Sequence, residues 1–168
     1  MIDRVHAFLL RVFRLLPRRA RIAVVHTIAP TFTVGAVCVI ERPDGALLLV
    51  RHAYRRRWGV PGGLLNRGEE PETAARREAL EEVGVEVETI GEPAVVVDPG
   101  PRRVDVIYRA RLVNGLDPDA VRPTSVEILE ARWFPADELP ELQHETAGAL
   151  VALARARYPI NPSGEQES

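Results

Sequence analysis

Three glutamates, Glu78, Glu81 and Glu82, stand at i, i+3 and i+4 in this 168-residue chain. On a helix that spacing places three carboxylates on one arc about 100° wide. Like charges so arranged oppose helix formation, so something must offset them. Arg77 can pair with Glu81 but cannot serve all three. A hard divalent cation such as Mg²⁺ or Mn²⁺ can, because it takes carboxylate oxygens and keeps waters for a substrate phosphate. The preceding loop suits the same task. Gly62 and Gly63 let backbone approach a ligand closely, since no Cβ intervenes, and the Gly63 carbonyl can add an oxygen ligand. Gly68 permits a tight entry that brings Glu69 near, where it can orient Arg77 through a charge-assisted hydrogen bond.

The elements that must position these residues follow from pattern. Pro71 opens a helix where proline is tolerated, and Ala74, Ala75, Ala79, Leu80 and Val83 give it an apolar side up to the stop at Gly84. Upstream, TVGAVCVI (33–40) reads as a buried strand, Pro43-Asp44-Gly45 as a turn and ALLLVR (46–51) as a returning strand, which predicts a hairpin. Downstream, short strands are expected at 85–90, 94–98, 103–112 and 128–134, with a polar loop at 114–124. A helical turn is expected at 135–139, and a closing helix at 145–157. The expectation is an α/β fold with a mixed sheet.

Composition narrows the class further. Hydrophobic residues make up 46% and charged residues 27%, as in a folded globular chain. The single cysteine, Cys38, excludes an intramolecular disulfide and any multi-cysteine metal site, and it reads as a small hydrophobe within a strand. All 22 basic residues are Arg, so Schiff-base and Walker-type lysine chemistry is excluded. A net charge of −2 gives no global attraction to nucleic acid, and no DNA partner is expected. The charge is uneven, however. Residues 1–21 carry six Arg against Asp3, about +5, leaving about −7 for the remainder. There Val5, Phe8, Leu9, Val12, Phe13, Leu15 and Leu16 recur at helical spacing, an amphipathic helix ending before Pro17. Its apolar face suits packing on its own domain, a homodimer contact or a weak membrane-surface contact. Arg11 and Arg14 interrupt the apolar run, which argues against a signal peptide. A cytoplasmic location is expected. The chain therefore divides into a lead-in (1–32), a domain (33–158) and a tail expected to fray (159–168).

The segment GLLNRGEEPETAARREALEEVGV (63–85) resembles the Nudix box, with Gly63, Glu69, Arg77, Glu78, Ala79, Glu81, Glu82, Gly84 and Val85 at its fixed positions. WGVPGG (58–63) is similar to that family's lead-in, and RWFPADEL (132–139) to its closing strand and turn. The resemblance implies an α/β/α sandwich around a mixed β-sheet, here with an extra N-terminal amphipathic helix. It implies Mg²⁺- or Mn²⁺-dependent hydrolysis of a nucleoside diphosphate linked to another moiety. On that resemblance Glu78, Glu81 and Glu82 hold the metal with the Gly63 carbonyl, and Glu69 and Arg77 are structural support. The proton of the attacking water goes to Glu78, Glu81 or the later Glu127, with Glu130 the competing choice.

The substrate side is less marked. Arg51, Arg55, Arg56 and Arg57 are candidate phosphate clamps, with plain surface charge the competing reading, and Arg51 and Arg57 are the expected substrate contacts among them. Trp58 is a candidate for stacking on a base, with core packing the alternative. Pro99 and Pro101 fall near, but not on, the proline position of ADP-ribose-preferring members. Tyr108 lies too far downstream to match the tyrosine of dinucleoside-polyphosphate hydrolases. The expected substrate is a small nucleotide, a nucleotide sugar such as ADP-ribose slightly ahead of a nucleoside triphosphate. A non-catalytic metabolite sensor and an RNA 5′-end pyrophosphohydrolase are the alternatives. An isomerase of the same superfamily is disfavoured, because it needs a site cysteine and Cys38 lies in a strand.

Overall fold

The computed structural model describes residues 2–157; the tail expected at 159–168 lies outside the described residues. The chain divides into two units at Phe32/Thr33. The first comprises α1 (Ile2–Leu15) and α2 (Arg18–Ile28), on either side of Pro17. The second helix was not expected, because Arg18, Arg19 and Arg21 mask its weaker apolar spacing.

The second unit is built on β1 (Thr33–Ile40), β2 (Leu47–His52), β3 (Gly62–Leu64), α3 (Pro71–Val83), β4 (Val87–Asp98), β5 (Arg103–Leu112), β6 (Ile128–Phe134) and α4 (His144–Arg157). A four-stranded sheet has the order β3-β1-β5-β4, with β1 and β5 parallel and the other pairs antiparallel. β2 and β6 form a separate antiparallel pair. The sheet is mixed and the class α/β, as expected.

Alternation along the strands builds two apolar layers. Ala36, Cys38 and Ile40 of β1 with Leu48 and Val50 of β2 pack on Ala74, Ala75, Ala79 and Val83 of α3. Val39, Leu47, Leu49 and Ile107 pack on Ala149 and Leu153 of α4. A run such as LLLV can therefore be buried throughout, since both its faces are covered. Leu48 and Leu49 have no exposed surface, and truncating either to Ala should cost about 2–5 kcal/mol.

Two strand expectations are corrected. Segments 33–40 and 46–51 do not form a hairpin; they are joined only by an isolated bridge from Glu41 to Leu47. Both edges of β1 are taken by β3 and β5, so the turn at Gly45 (φ +86°) passes the chain to the other sheet. The two strands expected at 85–90 and 94–98 are one, β4, with a register shift between Ile90 and Ala94. Gly91, at φ +69°, absorbs the extra residues as a bulge. β3 was too short to leave a pattern in sequence, yet it carries Gly62 and Gly63.

Candidate active site

α3 begins with Pro71 at its first turn and ends on Gly84, whose φ of +70° gives the left-handed cap that a residue with a Cβ adopts at a cost. The loop at 122–124 closes the same end: the Thr124 hydroxyl donates to the Glu81 carbonyl at 2.8 Å, and the Thr124 N–H to that of Glu82 at 3.0 Å. These bonds fix the turn carrying Glu78, Glu81 and Glu82. β3 lies alongside, paired so that Gly63 stands opposite Ala36 and Gly62 opposite Val37.

A side chain at either glycine would collide with what lies beside it. A Cβ on Gly63 would lie 2.3 Å from Oε1 and 2.9 Å from Oε2 of Glu78, so that carboxylate occupies the place of a side chain. A Cβ on Gly62 would meet the Ala36 carbonyl oxygen at 2.6 Å. Glu82 is buried at 7% exposure, accepts the Gly62 N–H at 3.3 Å through Oε2, and has His52 Nε2 3.4 Å from Oε1. Burial is the main influence on Glu78, pushing its carboxyl above the ordinary range against the Arg77 hydrogen bond.

Arg77 ties the arrangement together. Its Nε and Nη2 grip Glu69 at 2.8 and 3.0 Å, its Nη1 reaches Glu78 at 2.8 Å and Glu81 at 3.1 Å, and Nη2 also donates to the Leu64 carbonyl at 3.3 Å. Glu69 accepts the Asn66 N–H as well, and the Arg77 guanidinium holds its carboxyl down at about 2.

The three helix acids are not equivalent. Glu78 and Glu82 are drawn in against Gly62–Gly63, whereas the Glu81 side chain is 57% exposed and reaches Arg77. Among the described residues, no three His, Cys, Asp or Glu side chains converge as a ready-made metal cage. The donors nevertheless suit a hard cation: two adjacent carboxylates beside a backbone carbonyl, in a cradle with no room for a Cβ. A divalent cation held there would supply neutralisation of phosphate charge and a lower pKa for a bound water.

A cleft of about 620 Å³ opens beside these groups, between the open face of the four-stranded sheet and the start of α4. Gly63, His52, Arg55, Arg103, Asp105 and Glu145 are among its lining residues. Arg51, Arg57 and Trp58 are not, and the helix acids Glu78, Glu81 and Glu82 meet it only through Gly62, Gly63 and His52. Arg51 pairs with Glu130, its neighbour across the β2–β6 ladder, and Arg57 pairs with Glu141 at 2.5 Å. Trp58 packs edge-on against Phe134 with centroids 4.8 Å apart, and its backbone is bonded to Glu141 and Gln143. Adjacent numbers here fall on different sides of the fold. Glu127 is exposed, and its carbonyl accepts the Ala53 N–H, setting it beside the end of β2 that carries His52. Sequence reading did not single out His52, Arg103 or Asp105; each lies in an apolar or alternating strand, where the only signal was a polar residue on a covered face.

The NUDIX domain family profile matches residues 31–154. The chain belongs to the Nudix family. It is a hydrolase acting on phosphoric anhydrides. Among its relatives, a MutT-like protein of Streptomyces ambofaciens is 34% identical over 119 residues, which cover 71% of this chain and 74% of that one. The NAD-capped RNA hydrolase NudC of Shigella flexneri is 33% identical over 137 residues, covering 73% of this chain; the match spans half of NudC. Among solved structures, a NUDIX hydrolase from Nitrosomonas europaea superposes with a TM-score of 0.64 at 28% identity, covering 77% of this chain and 74% of that one. An ADP-ribose pyrophosphatase from Streptococcus suis gives 0.58 at 26% identity, covering 76% and 93%.

Proposed function

We propose that this Nudix hydrolase uses Mg²⁺ or Mn²⁺ to cleave the pyrophosphate bond of a nucleoside diphosphate joined to another moiety, with ADP-ribose ahead of a nucleoside triphosphate. The observation carrying this reading is the Glu78–Glu82 pair set against Gly62–Gly63 at the edge of an open polar cleft. The solved relative named an ADP-ribose pyrophosphatase favours that substrate class. In this reading Glu78, Glu82 and the Gly63 carbonyl hold the cation, and Glu81 joins them from its shared hydrogen bond with Arg77. Glu127 is the preferred acceptor of the water's proton among the later acids, because Glu130 is engaged by Arg51. Glu69 and Arg77 hold the helix and loop in register.

The test is a substrate panel with Mg²⁺ and with Mn²⁺, with both products identified. ADP-ribose yielding AMP and ribose 5-phosphate supports the reading. Turnover of triphosphates alone would move the substrate class, and ligand binding without turnover would favour a sensor. The NudC relative makes 5′-capped RNA a further arm of the panel, one that the net charge of −2 disfavours.

For residues 1–32 we propose a surface contact with anionic lipid. Within their own unit Phe8, Val12 and Leu15 are left exposed, on a helix that also carries exposed Arg11 and Arg14. The full chain should co-sediment with phosphatidylglycerol vesicles and be released by salt. Equal binding to neutral vesicles, or a dimer with no lipid affinity, would contradict this.

A further inference from the structure

β1 and β5 run parallel with Gly35 opposite Asp105. A Cβ on Gly35 would lie 2.3 Å from Asp105 Oδ1, 2.8 Å from Arg103 Nη2 and 3.3 Å from the Gly63 carbonyl oxygen. The sheet face therefore has a gap in its side-chain layer, and a carboxylate and a guanidinium lie in it. Arg103 and Asp105 are two residues apart, on one face of β5. The Arg103 Nε donates to both Asp105 oxygens, at 2.7 and 2.9 Å.

Two features mark this pair. Asp105 is buried, with 9% exposure, whereas Arg57–Glu141 and Arg55–Glu145 are open to water. Furthermore, the contact spends only the Nε–H of a group with five donors, and neither Nη nitrogen is hydrogen-bonded to another described residue. A structural role accounts poorly for this. An apolar residue at 105 with a small side chain at 35 would fill the same gap, and exchanging a buried ion pair for packed apolar groups is often neutral or stabilising. What the charged pair provides is a guanidinium held in one orientation in the wall of the cleft, beside the Gly63 carbonyl.

We propose that Arg103 is a phosphate-binding residue of this cleft. It takes a non-bridging oxygen of the substrate's diphosphate through its unused Nη donors, and Asp105 and Gly35 are its positioning residues. The ligand class is a nucleoside diphosphate or its conjugate, and the proposal rests on the pyrophosphohydrolase reading above. A planar fork held in advance loses little freedom on binding, so its contact shows mainly in affinity.

The experiment uses the full-length protein in two arms. In steady-state turnover of ADP-ribose, Arg103→Gln should raise KM about ten- to a hundredfold, the value of one charge-assisted hydrogen bond to phosphate, with a smaller change in kcat. Asp105→Asn and Gly35→Ala should move KM the same way. The added methyl of Gly35→Ala meets side-chain ends first, so it displaces the pair while the strand stays in place. Arg103→Lys should recover part of the loss. In the second arm, ADP binding to the Glu82→Gln protein is measured by calorimetry, with and without Arg103→Gln, and the dissociation constant should rise by a similar factor. If no substrate turns over but ADP affinity still falls with Arg103→Gln, the hydrolase reading fails and this proposal stands. If ADP-ribose is hydrolysed while KM and ADP affinity are unchanged, the proposal is overturned. A lowered melting temperature with unchanged KM, or no ADP binding at all, also overturns it.

Discussion

Gly63→Ala changes one hydrogen to a methyl and should be among the most damaging small substitutions in the chain. The added Cβ would lie 2.3 Å from Glu78 Oε1 and 2.5 Å from its carboxyl carbon, where ordinary contact begins near 3.4 Å. The Glu78 carboxylate must therefore retreat by about 1 Å, a misplacement that costs on the order of 10²-fold at a catalytic centre. That corresponds to about 2.7 kcal/mol of transition-state stabilisation. Gly63 is not in the left-handed region, so the methyl brings no backbone strain, and the fold should survive. The assay is kcat/KM on the best substrate of the panel with saturating Mg²⁺, alongside thermal unfolding followed by circular dichroism. A folded Gly63→Ala protein with wild-type kcat/KM would refute the claim that this cradle holds the working carboxylate.

Glu82→Gln keeps shape but removes the buried charge beside Gly62, and should lower turnover by about 10²-fold or more; a wild-type rate would remove Glu82 from the metal assignment. The Glu69 carboxyl sits at about 2 in the folded protein, against an ordinary 4.5, so its contribution to stability is present above about pH 4.5 and is lost as pH falls toward 2. Glu69→Gln should therefore flatten the fall of the melting temperature between pH 5 and 3, and an unchanged slope would contradict the Arg77 clasp. Burial pushes the Cys38 thiol up to about 12, so a thiol reagent at pH 8 should leave the native protein unlabelled and react once urea unfolds it.

Local signals proved the most legible. The extents of α3, β1, β5 and β6 follow from alternation, Pro71 and Gly84, because each is set by neighbours in the chain. The pairing of strands was not legible: a turn at Gly45 reads the same whether it closes a hairpin or passes between sheets, and the choice is made by distant β5 and β6. The same limit applies to the cleft. Arg51 and Arg57 flank the box in sequence, but the fold pairs them with Glu130 and Glu141, while Arg103, 21 residues beyond Glu82, is brought beside Gly63 through β1. The i, i+3, i+4 spacing put three acids on one side of α3 and Arg77 within reach of Glu81, but it could not show that Glu78 and Glu82 are drawn in against Gly62–Gly63 while Glu81 stays exposed.

The most direct test of the account is an anomalous-difference map from crystals of the protein grown with Mn²⁺ and a non-hydrolysable analogue of ADP-ribose. The account predicts a peak within ligand distance of the Glu78 and Glu82 carboxylates and the Gly63 carbonyl, with the analogue's diphosphate beside it in the cleft. Analogue bound in the cleft with no Mn²⁺ peak at those oxygens would contradict it.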